Sequence, residues 1–290
     1  MNRRIHTWEC AKARVEVDEL GKILSVGEPL IQYCPIREYS GWHSKILNSE
    51  DIKNSMQWKI DTMGMCKKNR IVYLKIPGIG YGASECLMSA LDYDLIETGI
   101  VPCDGAGTII SSDKYVIQGI GMVMPALIST FPVTPVINKL EKLGAYIVDK
   151  TEARIDQIKG VKEAIKQGYK KIGVTIAGMN CKEIEILREI EKKLNITLLI
   201  ILIHTTGVTE QDEQYIIKSD ICHGCSSRIV RINIESQNKY LAKFGTIIPA
   251  YAFSELGKKV LEIRDAEMMR NPPLLQVKKD ALRKSPFPLL

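Results

Sequence analysis

The chain reads as an α/β protein: a mostly parallel sheet with helices on both faces, preceded by an N-terminal β-hairpin. Two observations predict this. From about residue 136 onward, short apolar stretches alternate with amphipathic helical stretches, and helices between buried apolar strands point to a parallel sheet covered on both faces. Ahead of that region, residues 14–18 and 22–26 alternate apolar and polar side chains across Glu19-Leu20-Gly21, the pattern of a hairpin with glycine at the turn.

Three parts are expected: a hairpin-and-helix subdomain over 1–70, an α/β domain over 71–270 and an extended, Pro-rich tail over 271–290. Residues 28–42 hold Cys34-Pro35 and Gly41 and read as irregular. Ser49 is placed to cap a helix over 49–62, with acids in its first turn and Gly64 as its stop. A short strand over 71–76, a helix over 84–91 and a buried strand over 95–101 follow. Helices over 136–143, 155–167, 181–194 and 210–218 then alternate with strands over 145–148, 171–177 and 197–203 and with Asp220-Ile221-Cys222. A strand over 245–250 and a helix over 254–269 complete the order.

Composition excludes several function classes. The formal charge of +6 on 290 residues comes from Lys and Arg scattered among Glu, with no basic stripe carrying interleaved aromatics, so nucleic-acid binding is not expected. The longest apolar run, 196–203, falls short of the roughly 20 residues that span a bilayer. No apolar segment follows Arg3-Arg4, so no secretory signal is read and a cytoplasmic location is expected. In that compartment the eight cysteines are reduced thiols or metal ligands rather than a disulfide framework.

Ligands of parallel sheets sit outside the carboxyl ends of the strands, so residues at strand ends are the candidates. Cys103-Asp104-Gly105-Ala106-Gly107-Thr108 offers a glycine turn whose N–H groups could hold an anion, with Gln118-Gly119-Ile120-Gly121 near the same edge. It lacks the third glycine of a dinucleotide fingerprint and the Gly-Lys-Ser/Thr of a phosphate loop. His204-Thr205-Thr206-Gly207 places a proton carrier beside two hydroxyls. Arg154 is a candidate anion clamp, or else a surface partner of Asp156 or Glu152. Cys222-His223-Gly224-Cys225 carries a Cys-x-x-Cys, which is a redox pair or half of a four-ligand metal site, with His223, Cys34, Cys66 and Cys103 as candidates for the rest.

In their order, these motifs resemble the methanogenesis marker protein 8 family of methanogenic archaea. The likeness rests on Tyr33-Cys34-Pro35, Gly64-Met65-Cys66, Gly82-Ala83-Ser84-Glu85, Cys103 to Thr108, Gln118 to Gly121, Ala153 to Gln157, His204 to Gly207 and Asp220 to Ser227. The resemblance implies an accessory protein of methanogenesis. Such a protein would handle a metal centre or cofactor in assembly or activation of methyl-coenzyme M reductase or a related enzyme, with methanogenic enzymes or their maturation factors as partners. An iron–sulfur cluster or another thiolate-bound metal would use Cys34, Cys66, Cys103, Cys222 and Cys225. A second expectation is an enzyme for a small anionic substrate or nucleotide-like cofactor. Asp104, Gly105, Gly107, Thr108, Gln118, Arg154, Thr205 and Thr206 would bind it, and His204 would move the proton. A third is a non-catalytic protein that docks partners through its tail.

Overall fold

Alternation at the N-terminus builds a small sheet. β1 (Ile5–Cys10), β2 (Ala13–Asp18) and β3 (Ile23–Val26) form an antiparallel meander. Its inward residues, Trp8, Val15 and Val17, are fully buried. The expected hairpin is the β2–β3 pair, and β1 extends it through a two-residue turn, Ala11-Lys12, with both residues at positive φ. That is the turn whose twist suits paired strands. A short helix, α1 (Pro35–Tyr39), follows, and a long one, α2 (Ser49–Met63), packs on this sheet. Asn48, one residue before the expected Ser49, caps α2 through a reciprocal bond with Asp51, and Gly64 ends it in the left-handed conformation. Ile52, Met56 and Ile60 repeat at helical spacing and pack with Trp8.

The computed structural model describes residues 4–39, 41, 44–274 and 285–290. Trp42 and the middle of the expected tail, 275–284, lie outside the described residues.

The larger unit runs α3 (Ala83–Asp92), β4 (Thr98–Cys103), β5 (Gly107–Ser111), α4 (Lys114–Gly121), β6 (Ala126–Ser129), α5 (Thr134–Lys142), β7 (Tyr146–Ile147), α6 (Gln157–Lys166), β8 (Lys171–Ala177), α7 (Glu183–Leu194), β9 (Thr197–Ile203), α8 (Glu213–Ile216), β10 (Ile221–His223), β11 (Ala242–Phe244), β12 (Ala250–Ala252) and α9 (Glu255–Arg270). A π-helical turn, Ile229–Ile234, lies between β10 and β11. Residues 71–76, expected as a strand, stay outside both sheets; Leu74 N donates to Tyr115 O instead.

Among the described residues the large sheet has the order β11-β12-β10-β9-β8-β4-β5-β7. Here the expectation of a mostly parallel sheet is corrected. Only the centre, β10–β9–β8–β4, is parallel. Both flanks are antiparallel. The reason is connection length: β4 returns directly into β5 through the glycine turn, and a parallel neighbour needs a crossover of a dozen or more residues.

Helices do cover both faces. Ile172, Val174, Ile176, Leu198, Ile200 and Leu202 point to one face, where they meet α6, α7 and the π-helical turn. Leu199 and Ile201 point to the other, in the cluster that α3, α4, α5 and α9 complete. Burial on both sides explains why β8 and β9 read as continuous apolar runs. β6 leaves this unit to pair with β1 in the small sheet, which hangs the N-terminal sheet over one end of the large one. No helix among the described residues is long and apolar enough to cross a membrane.

Candidate functional site

The carboxyl ends of β4, β8, β9 and β10 face the N-terminal sheet across a cavity of about 480 Å³. That volume suits a small ligand, and the place is where open sheets with parallel centres bind one. Pro102, Ala177, Ile203 and His223 line it from the large sheet, and Cys10 and Ala126 from β1 and β6. The lining mixes an apolar body with a few polar groups, as ligand pockets do.

Five of the sequence candidates meet in this cavity: His204, Thr206, His223, Cys34 and Cys225. His204 follows β9 at positive φ, a conformation costly for a residue with a Cβ and common at ligand sites. Burial, then the neighbouring His223 and Lys12, lower its pKa to about 4, so its ring is neutral at pH 7. Thr206 Oγ1 accepts from Ser226 N at 3.1 Å, which fixes the Cys225 loop against the His204 loop. Burial pushes the Cys225 thiol up, while the Thr205 and His204 backbone, the Thr205 hydroxyl and Arg231 favour its thiolate. His223 bonds through Nε2 to Tyr81 O. Its Nδ1 is buried with no hydrogen-bond partner among the described residues, and burial lowers its pKa.

The other candidates hold the fold around the cavity. Asp104 pairs with Arg70 at 2.9 Å, both buried, and accepts from Cys66 N at 2.7 Å. Burial raises its pKa, but Arg70 and the Cys66 N–H outweigh that and leave it low. The glycine-turn amides are already spent: Gly105 N donates to Thr130 Oγ1, Ala106 N to Cys103 O and Thr108 N to Arg154 O. Gly107 has φ +71 and lies so close to the Ala153–Arg154 backbone that any side chain would clash. Its role is tight packing of a hairpin. Thr108 Oγ1 donates to Gln157 Oε1 at 2.8 Å and so orients Gln157, which does line the cavity. Gln118 Nε2 bonds to Glu85 at 2.9 Å and Ile76 O at 3.2 Å. Thr205 Oγ1 donates to His223 O at 2.6 Å. Arg154 is exposed and pairs with Asp149 at 3.7 Å.

The cysteines scatter. Cys66 is buried and accepts from Trp8 Nε1 at 3.3 Å. Cys103 turns its thiol to Asp104 O, and Cys222 lies in the core beneath α7 and the π-helical turn. Burial pushes all three thiols up. Among the described residues no group of three or more His, Cys, Asp or Glu stands ready to hold a metal. The set Cys34, Cys66, Cys103, Cys222 and Cys225 therefore does not fit a cluster or a thiolate-bound metal; only Cys34 and Cys225 share a space.

Residues that sequence reasoning passed over supply the charge of the site: Arg37 from α1, Lys59 from α2 and Glu183 from α7. One signal was present. Ser55 and Lys59 sit four apart inside the apolar stripe of α2, on its buried face. Burial, then Arg37, lower the Lys59 pKa to about 7. Burial, then Asp156, raise that of Glu183.

A family profile described as an uncharacterized protein conserved in archaea (DUF2099) matches residues 6–265. The chain belongs to this family. An uncharacterized protein of Methanocaldococcus jannaschii is 36% identical to it over 255 residues, which cover 86% of each chain. The DUF2099 match therefore spans both the N-terminal sheet and the large sheet. No solved structure matches the chain.

Proposed function

We propose that the protein is an enzyme acting on a small organic anion held between the N-terminal sheet and the carboxyl ends of β4, β8, β9 and β10. The observation that carries this reading is the convergence of His204, His223 and Cys225, from adjacent strand ends, on one cavity that also contains Arg37 and Lys59. Perturbed titratable groups gathered in a cleft are a mark of catalytic sites. His204 is the proton carrier. Its neutral ring accepts a proton readily only once an anion lies beside it, because a nearby negative charge raises a histidine pKa.

The setting expected from the marker protein 8 resemblance, an accessory role in methanogenesis, is consistent with a relative in Methanocaldococcus jannaschii. Its metal-handling form asks for three or more soft ligands in one place, so the arrangement of cysteines favours the small-molecule reading.

The test is retention of a metabolite. Full-length protein is mixed with the small-molecule fraction of an archaeal extract, separated from free solute and denatured, and the released compounds are identified by mass spectrometry. The expected result is one anionic compound, retained stoichiometrically by the native protein and lost from Ala177→Phe, which fills the cavity at the end of β8. Retention by neither protein, or equal retention by both, overturns the reading.

A further inference from the structure

The loops that follow β9 and β10 are bonded to each other. Thr205 Oγ1 donates to His223 O at 2.6 Å, and Ser226 N donates to Thr206 Oγ1 at 3.1 Å. These bonds set Cys225 against the His204 loop, and Arg231 Nε holds Cys225 O at 2.6 Å from the π-helical turn. His204 and Cys225 both line the cavity, and both have positive φ, +54 and +35. Neither is a glycine, and such strain persists only where the surroundings fix a side chain in place.

The His204 ring makes no hydrogen bond among the described residues; burial and the charges of His223 and Lys12 are what act on it. Burial raises the Cys225 thiol, but the Thr205 and His204 amides, the Thr205 hydroxyl and Arg231 stand where a negative sulfur gains from them. The wall also holds an unsatisfied polar atom. His223 is 7% exposed, and its Nδ1 has no hydrogen bond. Leu202 O and Glu85 lie near the ring without bonding that nitrogen. Its Nε2 is bonded to the Tyr81 carbonyl. A carbonyl only accepts, so Nε2 carries the proton and Nδ1 offers a lone pair.

From this geometry we infer that Cys225 is a nucleophile and His204 its base, acting on a carbonyl carbon of the bound anion. The inference rests on the proposed use of the cavity and names its reaction, the addition of a thiol to a carbonyl. The Sγ–H proton passes to the His204 ring. Sγ bonds to the carbonyl carbon, the π pair of the C=O moves onto oxygen, and that oxygen takes the proton back from His204. The thiolate is the reactive form of cysteine, and an imidazolium beside it is favoured because opposite charges stabilise each other's charged forms. The hydroxyl created by the addition is the donor that His223 Nδ1 lacks. The ligand class is therefore a small oxo acid, with an aldehyde or ketone carbonyl and an anionic end.

Alkylation of the full chain at pH 7 tests this, with modified peptides read by mass spectrometry. The probe is iodoacetate, an anion whose iodide a thiolate displaces. Cys225 is expected to react at a rate that saturates with iodoacetate. Glyoxylate, which has a carbonyl, is expected to protect at a concentration at least tenfold below that needed of glycolate, which has none. His204→Asn removes the base but keeps a residue that tolerates positive φ; it is expected to lower the saturated rate at least tenfold, and a thermal melt checks its fold. In the native chain alone, an unmodified Cys225, a rate without saturation, or equal protection by the two acids overturns the nucleophile. A native rate in folded His204→Asn overturns the base. A metabolite that the native chain retains and Ala177→Phe loses, with Cys225 inert to iodoacetate, overturns the nucleophile alone, and the cavity reading stands. Saturable alkylation unchanged in Ala177→Phe overturns the cavity reading instead.

Discussion

Asp104 shows how a residue can be important for a reason other than the one its motif suggests. In the sequence it opens a glycine turn that resembles an anion cradle. In the structure it ties the chain after α2 to the end of β4, through Arg70 and the Cys66 amide. Breaking a buried ion pair by removing one partner leaves an uncompensated charge, which costs roughly 3–5 kcal/mol. Asp104→Ala is therefore expected to lose stability on that scale in chemical denaturation, whereas a ligand-binding carboxylate would change stability little. His6 gives a second expectation. It is fully buried, bonds through Nδ1 to Thr130 Oγ1 at 2.7 Å and stacks on Phe131. Burial lowers its pKa to about 4 from an ordinary 6.5. Between those values the unfolded chain binds a proton that the folded chain refuses, so stability falls as pH falls from 6.5 to 4. The loss at pH 5 is on the order of 2 kcal/mol from this site. Melting temperatures between pH 7 and 5 should drop less steeply in His6→Asn; equal slopes would refute the assignment.

At the scale of elements, the sequence marks β8 and β9 closely because both are buried on two faces, and apolar runs of that kind have few other readings. It marks the β4–β5 hairpin poorly. Cys103 to Thr108 carries two glycines two apart, which fit a ligand loop and a hairpin turn equally well. Nothing local reports that β5 will run back antiparallel. The cavity was half legible for a related reason: His204, Thr206 and Cys225 stand at strand ends, but Arg37 and Lys59 arrive from helices of the other sheet, and only tertiary packing brings them in. Packing also explains Gly119. It lies in α4 directly against the Val72–Tyr73 backbone, with no room for a methyl group. Gly119→Ala must push α4 from that segment, which also carries the Arg70 bonds to Gly119 O and Ile120 O. Overpacking of this kind typically costs about 1–3 kcal/mol. The expected result is a lowered melting temperature with unchanged helical content by circular dichroism; an unshifted melt would show that the two segments part freely.

For the whole molecule, the end of the chain closes the site. Phe287 pairs with Tyr33: its N–H donates to Tyr33 O at 3.0 Å, and Gln32 N and Tyr33 N donate to its carbonyl at 2.8 Å each. Three residues on, Leu290 N donates to Ser226 O at 2.9 Å and Arg228 N to Leu290 O at 2.8 Å. Ser226 Oγ donates to Pro288 O at 2.7 Å. One short segment thus staples the stretch carrying Cys34 and Arg37 to the loop carrying Cys225, and Pro286 contributes to the cavity wall. These bonds join parts distant in sequence, and neither sheet depends on them. Removing residues 285–290 should therefore leave both sheets intact and open the cavity. The thiols report it, because only Cys34 and Cys225 are partly exposed and the other six are buried. With an aromatic disulfide reagent under native conditions, the truncated chain should release two fast equivalents, at least tenfold faster than the full chain. The remaining cysteines should react only on unfolding. If truncation leaves the rate unchanged, the segment is no wall of the cavity, and ligand access is governed by the Ala11-Lys12 turn, where Lys12 approaches Gly207 from across the mouth.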